Sequence, residues 1–180
     1  MLELKIDPIE FYDEAKEEFV NIKEQTLRLE HSLVSLQKWE SKWCKPFLTK
    51  EHRTREESID YIKCMTLTQN VDPLVYEFMT QDHMSKVNEY IAAPMTATTF
   101  SDIHNKQGGS EQITAELVYY WMIALNIPFE CKKWHLNQLL TLVKVCNIKN
   151  QPPKKMSKRD IMSRNAALNA ARRKQLNTKG

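Results

Sequence analysis

Glycine is scarce in this 180-residue chain, with three residues in all, two of them adjacent at Gly108 and Gly109. That shortage excludes collagen-like and Gly/Ser linker material and leaves little backbone for glycine-rich phosphate loops. No P-loop, dinucleotide fingerprint, G-x-S-x-G, H-E-x-x-H or EF-hand spacing occurs. Long apolar runs are also missing, so nothing reads as spanning a bilayer. The opening Met-Leu-Glu-Leu-Lys-Ile lacks the basic-then-apolar order of a secretory signal. These absences predict a soluble intracellular protein without a cofactor, and they argue against an enzyme.

Cysteine is sparse as well. Cys44, Cys64, Cys131 and Cys146 are widely spaced and contain no C-x-x-C, which reads as four reduced, mostly buried small hydrophobes rather than a disulfide framework. Cys131 and His135 are spaced as half a zinc site, but two further ligands are wanting. Among the five histidines, His104 beside Asp102 is the one acid–base candidate, and a plain loop histidine is the simpler reading.

What the chain does have is charge, unevenly placed. The net +3 conceals a split at Asn150-Gln151-Pro152-Pro153, where two prolines cannot continue a helix. Beyond it, nine cations (Lys154, Lys155, Lys158, Arg159, Arg164, Arg172, Arg173, Lys174, Lys179) face Asp160 alone, for +8; the first 150 residues carry 17 cations and 22 anions, for −5. The domain reading is therefore a body over 1–150 and a basic linker and helical tail over 151–180. Such a tail can bind an acidic surface or nucleic acid, or remain a solvated helix end.

Hydrophobic patterning predicts an α+β fold, mainly α. Leu2, Leu4 and Ile6 alternate with charged residues as in a half-buried strand, and Ile9 to Phe11 and Phe19 to Ile22 flank a polar connection. Together with Leu27 and Leu29 they make a two- or three-stranded ribbon, which must pack on something to persist. Six to seven helices follow. Ser32 caps one reaching about Cys44, with Leu33, Leu36, Trp39 and Trp43 on a core face; base stacking by the two tryptophans is the lesser reading. Thr54-Arg55-Glu56-Glu57 is a capping box for a helix carrying Ile59, Ile62 and Met65 inward. Asp72-Pro73 starts another, and a fourth spans about Gln81 to Ile91. Ser110 is expected to cap a helix through Leu125 that buries Tyr120 and Trp121, and the next runs from about Glu130 to Cys146 with Trp134 in its apolar stripe. Ser157-Lys158-Arg159-Asp160 opens the last helix, toward Lys174.

Two segments stand apart. Residues 93–109 lack helical periodicity, and a connection that long serves function or moves. The last helix is rich in alanine and has only Ile161, Met162 and Leu168 as larger hydrophobes before Lys174, so it can form but buries little. A partner surface is therefore expected at Met95, Phe100 and Ile103 together with Ile161, Met162, Leu168, Arg164, Arg172, Arg173 and Lys174. Met65, Met79, Met84, Met95 and Met122 are candidates for adaptable apolar contact, with a core role as the alternative for each.

Three long strings extend the reading. They are Leu29-Glu-His-Ser-Leu-Val-Ser-Leu-Gln-Lys-Trp-Glu-Ser-Lys-Trp43, Tyr119-Tyr-Trp-Met-Ile-Ala-Leu-Asn-Ile-Pro-Phe-Glu-Cys-Lys-Lys-Trp134, and Lys154-Lys-Met-Ser-Lys-Arg-Asp-Ile-Met-Ser-Arg-Asn-Ala-Ala-Leu-Asn-Ala-Ala-Arg-Arg-Lys174. With the segment between Asp60 and Pro73, they resemble a family of small bacteriophage proteins, the tail assembly chaperones of long-tailed phages. The resemblance implies a mainly helical, non-enzymatic protein of the bacterial host cytoplasm. It also implies that the protein coats the tape measure protein, a long amphipathic helical chain, before tail tube subunits polymerise. A homo-oligomer is a further expectation, since a repeated client helix invites repeated subunits. The competing expectation is a small nucleic-acid-binding regulator acting through the basic helix.

Overall fold

The computed structural model describes residues 1–13, 17–49, 52–99, 112–151 and 157–178. Four strands open the chain: β1 (Leu2–Ile6), β2 (Ile9–Asp13), β3 (Glu18–Ile22) and β4 (Gln25–Leu29). β1 pairs antiparallel with β4 and β2 with β3. The two ladders share one register, since stepping outward from Ile6↔Gln25 leads to Ile9↔Ile22. They form a single two-stranded ribbon interrupted at Asp7-Pro8 and Lys23-Glu24. Pro8 has no N–H to give the ladder. Covered residues also change parity there. Leu4 and Ile6 are buried in β1, whereas Ile9 and Phe11 are the covered residues of β2; Leu27 and Leu29 in β4 give way to Val20 and Ile22 in β3. The ribbon therefore presents opposite faces to the core on either side of its break.

The outer edge of β4 is satisfied by residues 65–68. Glu30 N donates to Met65 O at 2.9 Å, Leu67 N to Arg28 O at 2.8 Å, and Arg28 N to Thr68 Oγ1 at 2.8 Å. This partial third strand closes an edge that would otherwise invite pairing.

Seven α-helices follow among the described residues: α1 (Leu33–Trp43), α2 (Arg55–Met65), α3 (Leu74–Glu77), α4 (Gln81–Ala92), α5 (Ala115–Ala124), α6 (Leu136–Asn150) and α7 (Lys158–Leu176). A short 3-10 helix, Phe129–Lys133, lies between α5 and α6. The α+β class expected from the patterning is what the chain adopts. Ser32 and Thr54 both close reciprocal capping boxes, with Ser35 and Glu57. Thr80 does the same with His83, and the Asp72 carboxylate accepts from Leu74 N at 3.0 Å. Replacing Thr54 by alanine removes the acceptor for Glu57 N and is expected to lower stability by about 1 kcal/mol in urea denaturation.

Two compact units are present, Met1–Asn147 and Ile148–Gly180. The core of the first gathers Leu4, Ile6, Ile22, Leu27 and Leu29 of the ribbon with Leu33, Leu36 and Trp39 of α1 and Tyr61, Ile62 and Met65 of α2. Trp39 donates Nε1–H to Glu57 O at 2.9 Å and meets Phe47 and Tyr61 edge-on, so it belongs to the core rather than to a stacking platform. Trp43 is half-buried, with Nε1–H on Asp60 Oδ2 at 2.9 Å and Asp60 also paired with Lys42. In the second unit, α7 is capped by Ser157, whose hydroxyl accepts from Asp160 N, and none of its residues is buried.

Several expectations need correction. α5 begins at Ala115 with Thr114 as its cap, and Ser110 lies outside the described residues. The helix expected from Glu130 is a 3-10 turn followed by α6 from Leu136, because Ser32 bridges His135 and Leu136 N donates to His31 O at 2.7 Å. Tyr120 and Trp134 are exposed rather than buried. All four cysteines are free, but only Cys131 is buried; Cys64 and Cys146 are half-buried, and Cys44 is exposed as the left-handed C-cap of α1.

Candidate functional site

The polar atoms of the interior are occupied with holding the fold together. His31 Nδ1 lies 2.5 Å from Tyr61 Oη, and burial holds the Tyr61 phenol protonated, so it donates to the neutral imidazole. His135 packs edge-on against His31 with ring centroids 5.1 Å apart. Its Nε2–H donates to Tyr90 O at 3.1 Å, and its Nδ1 accepts from Asn137 N at 3.3 Å. Both ring nitrogens are thus committed, which leaves His135 no lone pair for a metal with Cys131. Tyr90 Oη donates to Glu30 Oε1 at 2.7 Å, and the α-amino group of Met1 sits 3.1 Å from Glu30 Oε2. Among the described residues, no buried side-chain nitrogen or oxygen lacks a partner, and no group of three His, Cys, Asp or Glu could hold a metal.

A crevice of about 40 Å³ lies beside α2 and α4, lined by Phe47, Arg53, Tyr61, Met84 and Ile91. Arg53 lies over the Phe47 ring at 4.1 Å and donates to Phe47 O at 2.7 Å. That space suits water rather than a substrate. The acid–base candidates His104 and Asp102 lie outside the described residues.

The surface is more informative. On α5 and in the stretch that leads from it to α6, Tyr120 is 63% exposed, Ile123 62%, Phe129 52% and Trp134 42%. The cause is local. Of the ten residues of α5 only Glu116 is charged, and Ala115, Val118 and Met122 take the buried face, so apolar side chains remain for the outer one. Large exposed apolar side chains in one short stretch are the usual mark of a partner surface. The periodicity could not reveal this, because an all-apolar helix has no phase. The signal available was its composition: ten residues cannot hide nine uncharged, mostly large side chains against one neighbour.

The residues expected to meet a partner fall into two groups. Met95 is 40% exposed just after α4 and takes a positive φ of 50°. Phe100 and Ile103 lie outside the described residues. Ile161, Met162, Leu168, Arg164, Arg172, Arg173 and Lys174 all lie on α7 and are all exposed. At ~100° per residue, the three hydrophobes and Leu176 fall within a sector of about 120°, with Arg172 inside it. Of the methionines, Met65, Met79 and Met122 are core, Met84 is half-buried, and Met95 is open. A second exposed apolar group escaped the sequence reading: Tyr12 and Phe19 face each other across β2 and β3 with ring centroids 5.1 Å apart.

No protein-family model, curated protein or solved structure matches this chain. No helix among the described residues is long and apolar enough to cross a membrane.

Proposed function

We propose that this chain is a non-enzymatic tail assembly chaperone that shields the apolar stripe of a long amphipathic helical client, the tape measure protein, in the host cytoplasm while tail tube subunits assemble around it. The observation that carries this reading is the exposed set Tyr120, Ile123, Phe129 and Trp134. It coincides with the Tyr119–Trp134 string on which the family resemblance rests in part. Aromatic and aliphatic side chains on a helix surface suit a client helix laid against them, because anchors at helical spacing can pack between them. Lys132 and Lys133, in the same stretch, would meet acidic residues flanking such a stripe.

Co-expression with the tape measure protein tests the reading. The client should stay soluble and co-purify. Tyr120→Asp with Ile123→Asp should reduce that recovery roughly tenfold or more, given that a central aromatic or aliphatic anchor contributes about 2 kcal/mol. The substitutions lie on exposed positions and should leave the melting temperature nearly unchanged. Client solubility that is indifferent to the chain, or to these substitutions, refutes the proposal.

A second reading has its own support, since α7 is basic and none of its residues is buried. A small nucleic-acid-binding regulator would use Arg164, Arg172, Arg173 and Lys174 on phosphates. Such binding weakens steeply with salt, whereas apolar client binding persists.

A further inference from the structure

The −5 of the first 150 residues is not spread over them. Residues 7–24, the break and outer half of the ribbon, hold seven carboxylates (Asp7, Glu10, Asp13, Glu14, Glu17, Glu18, Glu24) against Lys16 and Lys23. That is a net −5, so the remainder of those 150 residues is neutral. Glu10, Glu17 and Glu18 are exposed, and the face carrying Glu10 also carries the exposed Tyr12 and Phe19. The outer half of the ribbon is therefore acidic and aromatic. The 30 residues from 151 on carry +8, and their helix α7 mixes Arg172 and Arg173 with Ile161, Met162, Leu168 and Leu176, none of them buried.

We infer that α7 of one copy docks on the outer ribbon of a second copy, its arginines on Glu10, Glu17 and Glu18 and its apolar residues on Tyr12 and Phe19. Three arguments favour this occupant. The signs match and the two charges are of comparable size, so the pairing draws on the charge of both surfaces at once. Guanidinium groups pair with carboxylates and also stack on aromatic faces, and the ribbon offers both. A 19-residue helix that buries nothing is marginal in water and gains from any surface that covers it. A nucleic acid on α7 would leave the acidic ribbon unexplained. Reciprocal docking closes a dimer, and one-way docking propagates a chain of copies. The inference does not depend on which client the protein serves.

Sedimentation of the purified full-length chain, without any client, tests it. At about 0.01 M salt, where the screening length is about 30 Å, the apparent mass should rise with concentration well above 21.2 kDa. At about 1 M salt, where that length is about 3 Å, it should return to the single-chain value. Arg172→Glu with Arg173→Glu should abolish association, as should Glu10→Lys with Glu17→Lys and Glu18→Lys. Mixing the two variant proteins should restore association, because the native α7 of one meets the native ribbon of the other and the two reversed surfaces are complementary in turn. Combining all five substitutions in one chain should restore it, since both signs are then reversed. All positions are exposed, and circular dichroism of each variant checks that the helices remain. A chain that stays single at low salt overturns the inference. So does association that survives ribbon reversal, or a five-fold variant that fails to associate while folded. Tight, salt-sensitive capture of a random-sequence oligonucleotide that ribbon reversal leaves unchanged would assign α7 to nucleic acid instead.

Discussion

Replacing Glu40 by alanine is expected to lower the unfolding free energy by about 3 kcal/mol or more, which is large against the ~5–15 kcal/mol that holds a typical domain. Glu40 is on α1 and is only 8% exposed. Its Oε1 accepts from Phe47 N at 2.8 Å and its Oε2 from Ala115 N at 2.7 Å. One carboxylate therefore ties the turn after α1 to the first residue of α5. Thr114 meanwhile caps the same end of α5 through Leu117 N. A negative charge at a helix N-terminus is favoured by the orphan amides and by the helix dipole. Bonds from backbone N–H to a carboxylate are also stronger than neutral ones. Alanine leaves two covered N–H groups without an acceptor, each costing about 1–3 kcal/mol. Glu40→Gln keeps one acceptor but turns an amide donor toward a backbone donor, so it should lose about half as much. Urea denaturation at neutral pH measures both. Amide exchange at Phe47 and Ala115 supplies the local check: both should be protected in the native protein and exposed to exchange in Glu40→Ala. A loss below about 1 kcal/mol would show the bridge to be dispensable.

Glu40 also shows where sequence reading stops. Beside Trp39 and ahead of Ser41 and Lys42, it looks like a solvated helix charge, because one amide it serves lies beyond the end of its helix at Phe47 and the other is contributed by Ala115, far along the chain. What could be read was local. Ser32 and Thr54 announce their helices through side chains that bond within one turn, and the alternation from Leu2 to Ile6 depends only on which face is covered. The change of parity at Pro8 was not readable in the same way, since it follows from how the ribbon lies on the helices. Trp134 fits the period of the following helix, and by pattern alone it belongs to that helix. In the structure the Ser32–His135 bridge and the bond from Leu136 N to His31 O hold that stretch extended, and the helix starts later. The candidate surface was legible in α7, where few large hydrophobes sit among cations. In α5 periodicity hides it, and the excess of apolar residues over the core positions available to them is the one signal the sequence carries.

Acidification should destabilise the fold well before its carboxylates titrate. His31 is 1% exposed, and its pKa is lowered from 6.5 to about 3, first by burial and then by the neighbouring His135 and Arg53. His135 shifts the same way, chiefly through burial. The unfolded chain therefore takes up protons that the folded chain refuses. The stability tied to His31 is complete above about pH 6.5 and falls as the pH drops toward 3. Between pH 7.5 and pH 5, His31 alone should account for a loss of about 2 kcal/mol, at ~1.4 kcal/mol per unit below its ordinary value. Carboxylates held low by cationic partners, such as Glu57 beside Lys45 and Asp82 beside Lys86, add their own losses only nearer pH 4. The window from pH 7.5 to 5 is therefore the one that isolates the histidines. Urea denaturation across it should show midpoints that fall with pH for the native chain. His31→Asn places an amide near the position of Nδ1, where it can still meet the Tyr61 hydroxyl, and it cannot take up a proton. It should be less stable at pH 7.5 because the ring packing against His135 and Phe47 is lost, yet its midpoint should vary much less with pH. An undiminished slope in His31→Asn would assign the acid sensitivity to His135 or to another group, and His135→Asn would then separate those two.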